Sequence, residues 1–161
     1  MEQEQITVLG VGNILMQDEG FGVRVVEDLQ QCCAFPSHVQ VLDGGTLGME
    51  LLRFLTQTDR LVIVDAVNGS QPHGSLYEFS GAEVRAYFKE KVSMHELGVQ
   101  DVLAALDLLE RPVRELVVLG VQPAVVDVGL ELSPTVAECV VPVREKVLAW
   151  LRRWGTEVTV V

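Results

Sequence analysis

The stretch Ile6-Thr-Val-Leu-Gly-Val-Gly-Asn-Ile-Leu-Met-Gln-Asp-Glu-Gly-Phe-Gly-Val-Arg-Val-Val-Glu-Asp-Leu29 decides the fold. Its first six residues, Ile6 to Val11, form a short apolar run punctuated by glycine, the signal of a buried strand. From Phe21 the periodicity changes. Phe21, Val25, Val26 and Leu29 recur at helical spacing and predict a helix with one apolar stripe. The strand is apolar almost throughout rather than at alternate positions, so both of its faces are covered.

Working outward, the same alternation repeats. Val39 to Leu42 is strand-like and ends at Asp43-Gly44-Gly45, and Leu47 to Leu55 reads as a short helix. Leu61 to Val64 is apolar and β-branched and ends at Asp65. A turn-rich piece, Asn68 to Gly74, precedes an edge strand from Ser75 to Phe79; residues 81–92 have no clear period. Ser93-Met94-His95-Glu96 fits a capping box, and the helix after it places Val99, Val102, Leu103 and Leu106 on one face. Leu116 to Val121 is another buried strand. Ser133 and Pro134 open a last helix as N-cap and first residue, with Val136, Val140, Val143, Val147 and Leu151 as its stripe and a kink at Pro142. The pattern predicts a three-layer α/β sandwich, a mostly parallel twisted sheet with helices on both faces.

Composition narrows the function classes. The 161 residues suit one domain spanning 1–161, with no repeat or long linker to divide it. They are 48% hydrophobic and 22% charged, which marks a folded globule. The formal net charge of -11 argues against a nucleic-acid partner, because phosphate binding needs clustered Lys and Arg. Charges interrupt every apolar run, so no membrane insertion is expected. Met1-Glu-Gln-Glu-Gln lacks the basic and apolar regions of a secretory signal, and the expected location is cytoplasmic. Cys32, Cys33 and Cys139 form no Cys-x-x-Cys pair and read as reduced, buried thiols.

In a parallel α/β sheet, strand carboxyl ends and helix amino ends share one edge, where ligands bind. Four ionisable groups fall there. Glu19 lies between the first strand and the first helix, Asp43 and Asp65 end strands, and His95 opens a helix. Each has an ordinary explanation. Asp18 and Glu19 suit a helix start, Asp43 before two glycines suits an Asx turn, and His95 suits any first turn. Asp65 is harder to dismiss, since an acid ending a buried strand needs a partner or a task. Glutamate, aspartate and histidine together make an oxygen and nitrogen ligand set for zinc, nickel, iron or manganese, with coordination positions left open. Gly10-Val-Gly12 after a strand half matches a dinucleotide loop, with Asp43 in the place of a ribose-binding acid. However, Leu15 replaces the third glycine, and Asp18 and Glu19 put negative charge where pyrophosphate would sit.

Four blocks in order then resemble one family. Gly10-Val-Gly-Asn-Ile-Leu-Met-Gln-Asp-Glu-Gly, Leu42-Asp-Gly-Gly-Thr46, Val64-Asp-Ala66 and Ser93-Met-His-Glu-Leu-Gly98 are similar to the signature blocks of nickel–iron hydrogenase maturation endopeptidases. The similarity runs from Ile6 to about Leu151. It implies an aspartic-type endopeptidase that removes the carboxyl-terminal extension of a hydrogenase large-subunit precursor after nickel insertion. It also implies metal contact by Glu19, Asp65 and His95, with Asp43 as a further catalytic candidate. The nickel would be carried by the precursor, and other divalent ions would suit the free enzyme. Where a relative has proline before the histidine, this chain has Met94. Two other readings stay open: a nickel carrier or checkpoint protein that does not cleave, and a nucleotide-binding Rossmann-like protein.

Overall fold

Strands that are apolar on both faces need cover on both, and the computed structural model shows how the chain supplies it. It describes residues 3–45, 49–84 and 94–161, with Met49 and residues 94–100 described by backbone alone. Strand β1 (Ile6–Val11) leads through a 3-10 turn, Gln17–Gly20, into helix α1 (Phe21–Cys32). A two-residue strand β2 (Cys33–Ala34) follows, then β3 (Val39–Gly45), a short helix α2 (Leu52–Leu55) and β4 (Arg60–Ala66). Next come β5 (Leu76–Ser80), helix α3 (Met94–Leu108) and β6 (Glu115–Val121). Helices α4 (Pro134–Ala137) and α5 (Val140–Arg153) and a last strand β7 (Thr159–Val160) complete the chain.

The main sheet runs β3-β1-β4-β6-β5. Its first four strands are parallel, and β5 joins the edge antiparallel to β6. Side-chain alternation divides the apolar residues between two layers. Val8, Val62, Val64, Val117 and Leu119 face α1 and α5, where they meet Phe21, Val25, Val26, Leu29, Val143, Val147 and Leu151. Leu9, Leu61, Ile63 and Val118 face the other way, toward Leu51, Leu55, Val102 and Leu106. The expected three-layer α/β sandwich is therefore present. No helix among the described residues is long and apolar enough to cross a membrane.

Local readings differ from the structure in instructive ways. The last helix is two pieces rather than one kinked rod. It breaks after Ala137 and restarts at Val140, so Pro142 falls in a first turn, where its missing N–H costs no helical bond. Ser133 precedes Pro134 as expected, but its side chain does not cap the helix. It donates instead to Asp18. Strands β3 and β4 run slightly beyond the acids expected to end them, β3 by Gly44 and Gly45 after Asp43 and β4 by Ala66 after Asp65. The short helix expected over 47–55 is a 3-10 turn at Met49–Leu51 running into α2. Ser93 of the expected capping box lies outside the described residues.

Candidate functional site

The carboxyl ends of β1, β3, β4 and β6 point the same way, and their edge collects most of the ionisable groups singled out by sequence. Asp65 is the penultimate residue of β4 and is 1% exposed. Its Oδ1 accepts the backbone N–H of Ala66 at 2.8 Å, which fixes the carboxylate at the strand end. Alternation places it on the face of Leu61 and Ile63, the face covered by α2 and α3.

Glu19 reaches this strand through close backbone approaches. Its 3-10 turn packs against β4. Gly12, at φ 137°, has no room for a side chain: a Cβ there would lie 1.9 Å from the Glu19 carbonyl oxygen. Gly22, in the first turn of α1, would place a Cβ 2.0 Å from the carbonyl oxygen of Val64, the residue before Asp65. These glycines let the turn and the helix sit directly on the strand ends. Glu19 is half-buried in that turn.

His95 is the second residue of α3, the helix that covers the Asp65 face through Val102 and Leu106. Its side chain lies outside the described residues. No group of three His, Cys, Asp or Glu side chains among the described residues is arranged to hold a metal ion, and the His95 ring is not among those. The donor set itself, two carboxylates and an imidazole, fits a first-row divalent ion.

Asp43 is set apart. It pairs in register with Gly10, and β1 separates it from β4, so it stands two strand spacings from Asp65, roughly 10 Å. It lies on the α1 face, with Val39 and Val41, and is exposed. Beyond it the register slips, so that Gly45 rather than Gly44 pairs with Val11. Gly45 adopts φ 46° and accepts the N–H of Gly12 at 2.9 Å. The second strand end is thus locked to the loop that leads to Glu19.

Asp18 was open to reading as a helix cap, and it does something else. It is fully buried. Oδ2 accepts the N–H groups of Ala124 and Val125 at 2.9 and 2.8 Å and the Ser133 hydroxyl at 2.8 Å, and Oδ1 accepts the Ser133 N–H at 2.8 Å. Burial alone raises its pKa, but the hydrogen bonds from Val125, Ser133 and Ala124 outweigh that and hold it below the ordinary carboxylate value. Asp18 clamps the segment after β6 beside the Glu19 turn. Gln122 does similar work nearby, since its Oε1 accepts from the Gly69 N–H at 2.9 Å and the Tyr77 hydroxyl at 2.7 Å. Both roles join residues 45 or more apart, and no local sequence signal marks them.

Residues 23–150 match the HycI family model, described as hydrogenase maturation protease. The Hydrogenase 2 maturation protease of Escherichia coli K12 is 44% identical over 154 residues, covering 95% of this chain and 94% of that protein. The hydrogenase expression/formation protein HupD of Bradyrhizobium diazoefficiens is 39% identical, covering 98% of this chain and 83% of that protein. Among solved structures, the hydrogenase maturating endopeptidase HybD from E. coli superposes with a TM-score of 0.93 at 43% identity, covering 97% of each chain. The [NiFe] hydrogenase maturation protease HybD from Thermococcus kodakarensis gives 0.76 at 28% identity, covering 91% of this chain and 98% of that one.

Proposed function

This chain belongs to the hydrogenase maturation protease family, and from that premise we propose that it reads the nickel held by its substrate through Glu19, Asp65 and His95. It is an endopeptidase acting in hydrogenase maturation, and its substrate is the precursor of a hydrogenase large subunit, whose carboxyl-terminal extension it removes. One observation carries the metal reading. A buried carboxylate, Asp65, stands at the penultimate position of a central strand, and the turn bearing Glu19 packs on that same strand. Helix α3, which bears His95 in its first turn, covers the same face.

Three protein ligands leave an ion open to a second partner, which suits a metal that arrives with the substrate. Glu19, Asp65 and His95 would hold such a nickel ion, which would supply Lewis acidity toward the scissile carbonyl or a water beside it. Asp43 stands too far from Asp65 to complete the same ligand shell, and it serves the precursor chain instead. Gly45, half-buried at φ 46° two residues further on, joins it in holding the substrate main chain.

The test is intact-mass measurement of a large-subunit precursor, nickel-loaded or nickel-free, before and after exposure to the enzyme. Loaded precursor shortens, nickel-free precursor does not, and His95→Ala yields no product from either. Equal trimming of the nickel-free form sinks the shared-metal reading and gives His95 another task, such as general base. Binding of loaded precursor without any shortening would instead mark a carrier or checkpoint protein. Asp43→Asn is expected to lower cleavage while leaving metal affinity within a few-fold of wild type. A ten-fold loss of metal affinity would make Asp43 a ligand or its direct support.

A further inference from the structure

Between β6 and α4 the chain crosses the carboxyl edge as an irregular segment that is firmly held. Asp18 accepts four hydrogen bonds from it, and its own N–H donates to Val125 at 3.1 Å. Gly129 donates to Leu15 at 2.9 Å and accepts from Gln17 at 3.0 Å, so the segment pairs with the loop that carries Glu19. Arg24 Nη2 donates to the carbonyl of Leu130 at 2.9 Å.

A segment fixed this well nevertheless turns aliphatic side chains to solvent. Val126 is 47% exposed, Val128 86% and Leu130 59%, and across the pairing Leu15 is 58% exposed. Single exposed aliphatics are ordinary. Four on two paired segments, held by a buried carboxylate, make a preorganised apolar surface. Asp127 and Glu131 are interleaved with them, exposed, and in no ion pair among the described residues. A partner of matching chemistry therefore brings aliphatic side chains flanked by Lys or Arg.

We propose that Leu15, Val126, Val128 and Leu130, with Asp127 and Glu131, form the docking surface for an aliphatic, basic-flanked segment of the large-subunit precursor. The proposal rests on the function given above and extends it to the substrate chain. Continuity argues for this occupant. The surface begins at Leu15, four residues before Glu19, so a chain lying on it is led to the Glu19 turn. Charge argues against a second copy, which would bring another net -11 against the same acids.

The experiment measures the Kd of nickel-loaded precursor by interferometry and the kcat and KM of cleavage. It compares wild type, the triple variant Val126→Ser/Val128→Ser/Leu130→Ser, and Asp127→Asn/Glu131→Gln. The substituted side chains are exposed, so an unchanged thermal midpoint serves as the folding control. The triple variant is expected to raise Kd and KM at least ten-fold with kcat within two-fold of wild type. The charge variant is expected to flatten the dependence of KM on salt. A folded triple variant with unchanged Kd and KM overturns the proposal. So does a wild-type dimer that becomes monomeric in the triple variant, since the surface would then belong to a second copy. A wild type that binds precursor through this surface without cutting it leaves docking intact and overturns the endopeptidase reading. A wild type that cuts, with binding indifferent to the triple variant, does the reverse. Failure of wild type to bind precursor at all overturns both.

Discussion

Asp18 and Glu19 are neighbours in sequence with different surroundings, one fully buried and one half-buried, and their difference is set by where one turn points them. Asp18 turns inward and becomes an anionic acceptor for three backbone N–H groups and a hydroxyl. Asp18→Asn keeps the shape but removes the charge and aims an amide at donors, so it is expected to cost about 3 kcal/mol. Thermal unfolding would show the loss, and limited proteolysis would show cleavage within 123–132. The pH dependence has a definite sign. The folded pKa lies below the unfolded one, so this stabilisation is present above the unfolded value of about 3.9 and is lost as pH falls through the folded value. Wild type should therefore lose stability below about pH 4 more steeply than the Asn variant. The thiols follow the same logic of burial. Desolvation first, and the bond with Cys32 second, push the Cys33 thiol up to about 11, and desolvation also raises Cys139. Iodoacetamide at pH 8 should label Cys32 first, with Cys33 and Cys139 reacting only on unfolding, as peptide mass mapping would show. The edge position of Glu19 and Asp65 was legible because strand ends can be read from apolar runs. Asp18's role was not, because its partners sit 106 to 115 residues away in the sequence.

Helix α1 is the element that brings this edge together. Its first turn rests on the carbonyl of Val64 through Gly22, and its N-terminal approach carries Glu19. Gly22→Ala would drive a methyl into backbone rather than into a yielding side chain. It should cost about 3 kcal/mol and shift α1 away from β4. Cleavage should fall with stability, and if activity survives at full rate, the spacing of α1 on β4 does not set the site. Pro142 offers the contrasting case. It stands in the first turn of α5, where no helical bond is lost, so Pro142→Ala should change stability by no more than about 1 kcal/mol in urea unfolding. Sequence periodicity found the stripe of this helix, since Val136, Val143, Val147 and Leu151 are all buried. It missed the break at Glu138 and Cys139 because an apolar stripe continues across two short helices as readily as along one.

Across the whole molecule, the two apolar layers share the same strands. Adjacent residues of β1, Val8 and Leu9, belong to opposite layers, and both are fully buried. Loss of either layer therefore exposes the back of the other. Leu9→Ala is expected to cost about 2–4 kcal/mol and to lower one shared transition rather than produce two. Coincident fluorescence and circular dichroism curves would check this. The layered plan was legible because strand runs and helix stripes have different periods. The order of strands was not, because β5 turns antiparallel onto β6 through contacts that only the folded chain provides.

The small sheet formed by β2 and β7 has its own consequence. Cys33 pairs with Val160, and the N–H of Val161 donates to the carbonyl of Cys32 at 2.7 Å, at the far end of α1 from Glu19. Helix α1 runs back from the carboxyl edge, so Val161 is stitched to the opposite rim of the sheet, about 18 Å of helix away. A domain fused after Val161 would therefore emerge at the rim away from the carboxyl edge, clear of the Glu19 turn.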